Sequence, residues 1–573
     1  MKKSSVKKNN KKMKSPVSDI PSYKILVPCI MLAYMVISLI VVGTDAKELT
    51  LGVASICMIL WFIGEKIFPD RVYKDSVHSH NKYIYIFAGM FIFMTILSEI
   101  FADDYSTSSL VGEYDSLLVI MCYIVLFYMS YRYFYMDKVQ MLVKWGILAV
   151  TILTVLMSLL EFLDVSWAVW WINDIEMLET RNRVVLTFGN SNYYGAFCLM
   201  LIPFVMELWI HADKWLEKVL FILLDGCLVS CVMMSKSTMA WYLMIFIIIA
   251  ICIYELKSIF KQWIYFIGFV VTMFIIVLVL NVCSSGKLME LISVSVDNDD
   301  AFIEENQDVY EVEDIHIEDR KLIIEGVDKS FIIEYDDKFT FYDENGNILD
   351  IENNGNIVTF TQEPYNALSV EVSYNQRVNM IYIEIDAGYK ETIDFYIADN
   401  GFKGVGADGG AVDDIGGDYK DHKISSLFTG RGYIWINTVS MLDEVLFIGK
   451  GCGNFIHNFK QYDYVGLLKS QGTHNVIIDR PHNMFLQYSI DIGIIGTVAL
   501  FAIVVYVLLC WITQNFKKRK TDNPLSTASF FAVIVFMAFM LLNDSLVVLS
   551  PYMWMCLGMN MSIQSKNCII QKN

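Results

Sequence analysis

Charge is scarce in this chain. Asp, Glu, Lys and Arg make up 18% of its 573 residues, 55% are hydrophobic, and the mean hydropathy is +0.45. Soluble domains run to about 25% charge, so an ordinary soluble fold is excluded. No basic patch is present, which leaves nucleic-acid binding without a footing. The 12 cysteines form no CxxC pair with zinc spacing. Most fall in apolar stretches, with Cys283 at a helix end and Cys452 in a loop, and they read as small apolar fillers rather than a disulfide framework. No small-residue cleavage site follows the basic stretch Met1–Lys14, so the first apolar span is expected to be a retained anchor.

What the chain has instead is apolar length. Block after block runs to about 18 or more residues, enough to cross the hydrocarbon slab: Ile25–Gly43, Leu51–Ile67, Tyr83–Phe101, Leu110–Phe134, Met141–Leu163, Tyr193–Ile210, Val219–Met234, Met239–Tyr254, Ile264–Val282, Phe485–Thr513, and the shorter Ala528–Leu542 and Val547–Ser562. Lipid offers unpaired backbone groups no partner, and the blocks lack the alternation of a membrane barrel, so the spans are expected to be helices. The expected fold is an all-α polytopic membrane bundle of about 12 transmembrane helices with an inserted extracellular β-sandwich. Basic residues set the orientation. Seven lysines from Lys2 to Lys14 lead into the first span; Arg71, Lys74 and Lys82, Arg132 and Lys138, Lys214 and Lys218, Lys257 and Lys261, and Lys517–Lys520 fall on the inward turns that follow. Both termini are expected in the cytoplasm and residues 284–484 outside the cell membrane.

Acidity is confined to that outer region. Glu290 to Asp421 holds 33 acidic and 8 basic residues, and the rest of the chain carries a net +7. From Tyr310 to Ala398 the apolar pattern changes to period two, with Gly/Asn turns between short runs, which predicts the β-sandwich. The expected divisions are 1–283 (nine spans), 300–400 (the β-insert), 401–484 (a Gly/Asp-rich linker, then an amphipathic helix from Ile434 to Leu446) and 485–573 (three spans). The run DENGN faintly echoes a calcium loop but lacks the closing Glu at the required offset, and a hairpin turn is the better reading. Gly449, Gly451 and Gly453 have no β-α-β context and read as helix termination.

Three clusters fall on the outer side: RNRVVLTFGNSNYYG from Arg181, TGRGYIW around Arg431, and DRPHNMFLQYSIDIGIIG from Asp479. In this order, on this plan of spans, they resemble the O-antigen ligase / O-antigen polymerase (Wzy-type) superfamily, which shows R-x-x-G-T-F-G-N-P-N, R-G-x-x-W and H-N-x-x-L-Q…G-x-x-G elements. Leu186 stands where that pattern has Gly and Ser191 where it has Pro. The outer turn after the third span, usually basic, carries Glu113 and Asp115. The resemblance implies transfer of a glycan from a polyprenyl diphosphate-linked donor to an acceptor hydroxyl, without a metal or other cofactor. Its partners would be a lipid-linked oligosaccharide donor and a glycan, lipid or wall acceptor.

The residues suit that chemistry. A guanidinium bonds two phosphate oxygens and stays charged near lipid, which suits Arg183, Arg431 and Arg480 for the diphosphate. Imidazole titrates close to neutrality, which suits His482 as the base for the acceptor hydroxyl. Asn190, Asn192 and Asn483 are candidate glycan contacts; each also stands where it would cap a helix. His474, also followed by Asn, is expected to serve its loop. Asp103 and Asp104 read as a solvated turn and Trp167, Trp170 and Trp171 as an interfacial belt. A lipid-linked oligosaccharide transporter would need internal repeats and charged or broken helices at the midplane, and the sequence shows neither. A membrane-anchored surface binding protein would not need so many spans.

Overall fold

The computed structural model of the chain describes residues 22–67, 82–102, 115–165, 183–284, 286, 288, 309–318, 320–389, 391–398, 401–406, 409–413, 415–416, 425, 427–428, 430–518 and 523–572. Asp103, Asp104, Glu113, Trp167, Trp170, Trp171 and Arg181 lie outside the described residues.

The apolar blocks are helices. Among the described residues, 6 are long and apolar enough to cross a membrane: Thr44–Ile67, Lys82–Ile100, Asp137–Phe162, Ser191–His211, Trp263–Cys283 and the stretch Met484–Asn515. The shorter apolar helices Leu26–Ile40, Leu117–Tyr133, Thr238–Tyr254 and Pro524–Phe539 pack among them, together with Trp215–Met234 and Ser550–Lys572. Burial orders the bundle from centre to rim. The apolar window of Ser191–His211 is 100% buried, whereas that of Trp263–Cys283 is 6% buried and turns its Ile, Val and Phe side chains outward. A fully apolar helix with no protein around it is stable only against lipid. Pro524–Phe539 and Trp215–Met234 flank the central helix. Asp225, fully buried within Trp215–Met234, receives Trp209 Nε1–H at 3.3 Å.

The acidic insert forms two antiparallel sheets. The first is a four-stranded meander of Val312–Glu318, Lys321–Gly326, Ser330–Tyr335 and Phe339–Asp343. The second has seven strands, ordered Ala411–Val412, Gly401–Val405, Ile393–Ala398, Met380–Asp386, Ser369–Asn375, Ile357–Phe360 and Ile351–Asn354. Period-two patterning does the work here. Leu322 pairs with Ile333 and Ile324 with Phe331, all four buried, and they share one apolar cluster with Val370, Ile383, Ile385 and Phe395 of the second sheet. The sheet runs past residue 400: Gly401–Val405 pairs with Ile393–Ala398, so part of the expected linker is strand. DENGN is a hairpin turn. Asp343 Oδ1 accepts the backbone N–H groups of Asn345 and Asn347 at 2.9 and 2.8 Å, and Oδ2 accepts Asn347 Nδ2 at 2.9 Å. Its carboxylate is thereby committed to an Asx turn.

The sheets rest on the helical region through Tyr464–Gln471. Tyr464, Val465 and Leu468 enter the β core, and the Tyr464 hydroxyl bonds the backbone of Val405. His474 packs against Tyr464 with ring centroids 4.3 Å apart and the rings tilted by 46°, and burial pushes its pKa down, so this His-Asn pair is a packing element.

One break in the bundle departs from the sequence reading. The helix Met484–Lys518 is interrupted at Gly493, where φ is 80° and ψ is 158°. The loop after Arg431–Ser440 enters that break. Ile494 N–H donates to the Val445 carbonyl at 3.0 Å, Lys450 N–H to Ile490 at 2.7 Å, and Gly451 N–H to Asp491 at 3.0 Å. The expected amphipathic helix therefore stops at Ser440, because the chain beyond it turns into the break. The Gly-rich run does more than end a helix: it lets backbone approach backbone.

Candidate functional site

The third motif opens a helix. Asn483 Oδ1 accepts the N–H groups of Phe485 and Leu486 at 2.9 and 3.1 Å, a side-chain cap, while its Nδ2 donates to the Leu541 carbonyl at 2.8 Å. Met484 N–H donates to the carbonyls of Met540 and Asn543, both at 3.0 Å. These bonds stitch the helix start to the turn 540–545, and Gln487 Oε1 accepts Ser545 N–H at 2.8 Å one turn deeper. His482, just before the cap, is held at φ 52°.

That turn delivers Asp544 to His482. The carboxylate is fully buried, and His482 Nδ1 lies 2.9 Å from Asp544 Oδ2. A carboxylate oxygen only accepts, so Nδ1 is the nitrogen that donates, and in the neutral imidazole the lone pair is on Nε2. The His482 side chain is 37% exposed, which keeps that nitrogen reachable. Asp544 Oδ1 is buried without a hydrogen bond. Arg480 Nε lies 3.9 Å from Asp544 Oδ2, and Arg480 also pairs with its neighbour Asp479 at 3.1 Å.

The second motif reaches the same turn. Arg431 begins its helix and donates to the Leu542 carbonyl at 2.7 Å, and Trp435 Nε1–H donates to the Pro481 carbonyl at 2.9 Å. Burial lowers the Arg431 pKa and the nearby Asp544 carboxylate raises it again. Arginine starts so far above neutrality that it remains a cation. The first motif contributes Tyr193, whose hydroxyl donates to the Asp544 carbonyl at 3.1 Å. All three motifs thus converge on residues 541–545.

Other motif residues stand apart from His482. Arg183 is exposed and, among the described residues, makes no hydrogen bond or ion pair. The chain after it is fixed from below: Glu161 accepts Val185 N–H at 2.7 Å and Leu186 N–H at 3.0 Å, and Lys47 Nζ donates to Thr187 Oγ1 at 3.0 Å. Leu186 sits at φ 51°, a left-handed conformation that costs a bulky residue strain and suits Gly, the residue in the family pattern. Ser191 occupies the first helical position, the place where Pro is favoured. Asn190 caps that helix through Asn192 N–H at 2.8 Å, with its side chain at the exposed rim. Asp115 is buried, accepting the hydroxyls of Tyr123 and Tyr488, each at 2.7 Å.

Asp544 was not singled out by the sequence reading. The run Asn543-Asp544-Ser545 is the composition of an ordinary turn, so nothing in the sequence marks the aspartate.

Residues 395–501 match the family model described as O-antigen ligase. No curated protein and no solved structure matches the chain. The matched stretch spans the second and third motifs, with Arg431, Arg480, His482 and Asn483. Over this stretch, which runs from the second sheet into the helix Met484–Lys518, the chain is similar to the O-antigen ligase family.

Proposed function

We propose that the protein is a membrane glycosyltransferase that transfers or polymerises glycan from a polyprenyl diphosphate-linked donor onto an acceptor hydroxyl. The observation that carries the reading is the convergence of His482, Arg431 and Arg480 on the buried Asp544. In the proposed step His482 Nε2 takes the acceptor hydroxyl proton as that oxygen bonds the anomeric carbon. The carbon–oxygen bond to the diphosphate breaks, and its electron pair leaves with the phosphate. Arg431 and Arg480 neutralise the charge that grows there, and fixed cations at a developing anion are worth most where water is excluded. Asp544 orients the imidazole and balances its charge once protonated. Arg183 extends phosphate binding at the rim, and Asn190 and Asn192 contact the glycan, while Asn483 serves chiefly as the helix cap.

In this reading the bundle crosses the membrane twelve times with both termini in the cytoplasm, the site opens outside, and the transfer step itself runs without a metal. A transporter would also display a broken helix. The break at Gly493, however, is filled by the chain's own 445–451 loop.

The test is turnover of lipid diphosphate-linked oligosaccharide by the full chain in nanodiscs, followed as polymer or transferred glycan and released lipid diphosphate. Movement of intact donor between leaflets without release of lipid diphosphate defeats the proposal. Arg431→Lys is expected to weaken turnover about 10- to 100-fold, because one ammonium cannot hold both the Leu542 carbonyl and a phosphate fork. Asp544→Asn keeps the shape of the site but offers an amide that can bind Nδ1 as a donor, placing the proton on Nε2. It is expected to lower kcat by about 100-fold with little change in KM. A loss confined to KM would assign Asp544 to substrate binding instead.

A further inference from the structure

The end of the bundle remote from His482 holds a cluster that glycan transfer does not use. Ser191–His211 starts beside the 541–545 turn and, at about 1.5 Å per residue, ends roughly 30 Å away. On its last turn Glu207 and His211 stand four residues apart and so share a face. Glu255, just beyond Thr238–Tyr254, approaches from the neighbouring helix. One ligand atom from each of the three lies within 4.8 Å of the other two.

The burial of Glu207 needs an explanation. It is 1% exposed, and neither of its carboxylate oxygens has a hydrogen bond. A buried carboxylate is tolerated only when paired or coordinated. Two lysines that follow in the chain are engaged elsewhere: Lys218 donates to Gln262, and Lys214 pairs with Glu217 at 3.3 Å. Among the described residues the ion pairs that reach Glu207 and Glu255, at 3.4 and 3.9 Å, both end on the one imidazole of His211. Two carboxylates therefore face at most one positive charge.

We propose that Glu207, His211 and Glu255 form a divalent-cation site of the nitrogen–oxygen class, with Zn2+ as its best-suited occupant. His211 Nδ1 lies 3.1 Å from the Glu207 backbone oxygen, so Nδ1–H donates there and the Nε2 lone pair faces Glu255 Oε2 at 3.9 Å. A ligating imidazole is commonly fixed in this way, through its other nitrogen. Ligands about 2.0–2.1 Å from Zn2+ stand roughly 3.3 Å apart across a tetrahedron, a spacing that small side-chain shifts reach from the separations here. Three protein ligands leave a fourth position for water, and the absence of a thiolate disfavours Cu(I). The ion would tie the foot of the central helix to the connector Leu256–Lys261, and so serve the bundle rather than the transfer step.

The test uses the full chain in nanodiscs, stripped with chelator, desalted, and titrated with ZnCl2 by calorimetry with elemental analysis of the retained metal. The expected result is about one equivalent of Zn2+ bound per chain and a raised unfolding temperature. His211→Gln and Glu207→Gln are expected to weaken binding by more than the roughly 10- to 100-fold that a lost outer partner costs. Glu255→Gln, a change of like shape at a mostly buried helix junction, should do the same, and His316→Gln on the β-insert should not. The proposal is overturned if the wild-type chain holds no more Zn2+ than His211→Gln and Glu255→Gln, which would leave an ion pair only. It is equally overturned if the binding disappears with His316→Gln, which would make it a surface site.

Discussion

His482→Gln is expected to reduce glycan transfer by about 100- to 10,000-fold, the range a positioned general base contributes. Lipid-linked donor should accumulate while the protein inserts and folds normally. Gln is the informative replacement because its amide can still donate to Asp544 Oδ2, so the buried carboxylate keeps a partner and the 540–545 turn keeps its place. What Gln lacks is a basic lone pair at the Nε2 position. The helix that His482 precedes is capped by Asn483 and tied to the turn through Met484, bonds that do not involve the imidazole. Loss of activity with unchanged thermal stability and unchanged donor binding therefore isolates the proton transfer. Wild-type turnover in His482→Gln would remove the imidazole from the reaction and reassign its contact with Asp544 to holding the turn.

Much of this arrangement is written locally and some of it is not. The apolar blocks announce helices because their length alone fits the bilayer, and the alternation from Tyr310 announces strands because each run has one face to bury. The three motifs together resemble one family, and that resemblance is what makes His482 and Arg431 candidates from the sequence. Asp544 cannot be picked that way. It lies 62 residues from His482, in a turn with no spacing signal, and acquires meaning only when the helix start at Met484 is bonded to it. His474 and His482 are both followed by Asn, and what separates them in the sequence is the next stretch: VIIDRP after His474, a G-x-x-G helix after His482. The structure adds a tertiary distinction: one ring is packed against Tyr464, the other is held beside a buried carboxylate at the bundle's rim. Gly493 is marked in the sequence as the first glycine of the G-x-x-G element, but its conformation is not, since a Gly within an apolar run is common in membrane helices. Its positive φ and the loop that fills the break are properties of two segments together.

That shared requirement makes Gly449→Ala the sharpest structural test. A Cβ at residue 449 would stand 2.3 Å from the Asp491 carbonyl oxygen, 2.4 Å from its carbon and 2.5 Å from Ile492 N, all backbone atoms with no rotamer to yield. The loop would have to withdraw from the break. Withdrawal would strip Ile494 N–H, the Ile490 and Asp491 carbonyls, and the bonds that Ser98 Oγ and Glu99 Oε2 accept from Gly449 and Cys452. Each buried polar group left unpaired costs about 1–3 kcal/mol, so a loss on the order of 3 kcal/mol or more is expected. Phe447→Ala, which trims a 63% exposed side chain two residues away, should change stability little. The measurement is thermal unfolding of both variants in nanodiscs, with hydrogen exchange followed across residues 484–500. Fast exchange at Ile494 in Gly449→Ala, but not in Phe447→Ala, is the expected signature. Transfer should fall with it, because the segment between His482 and Gly493 would no longer be braced from both ends. An unchanged exchange pattern would mean that the helix holds its break without the loop, and that the glycine-rich run only turns the chain.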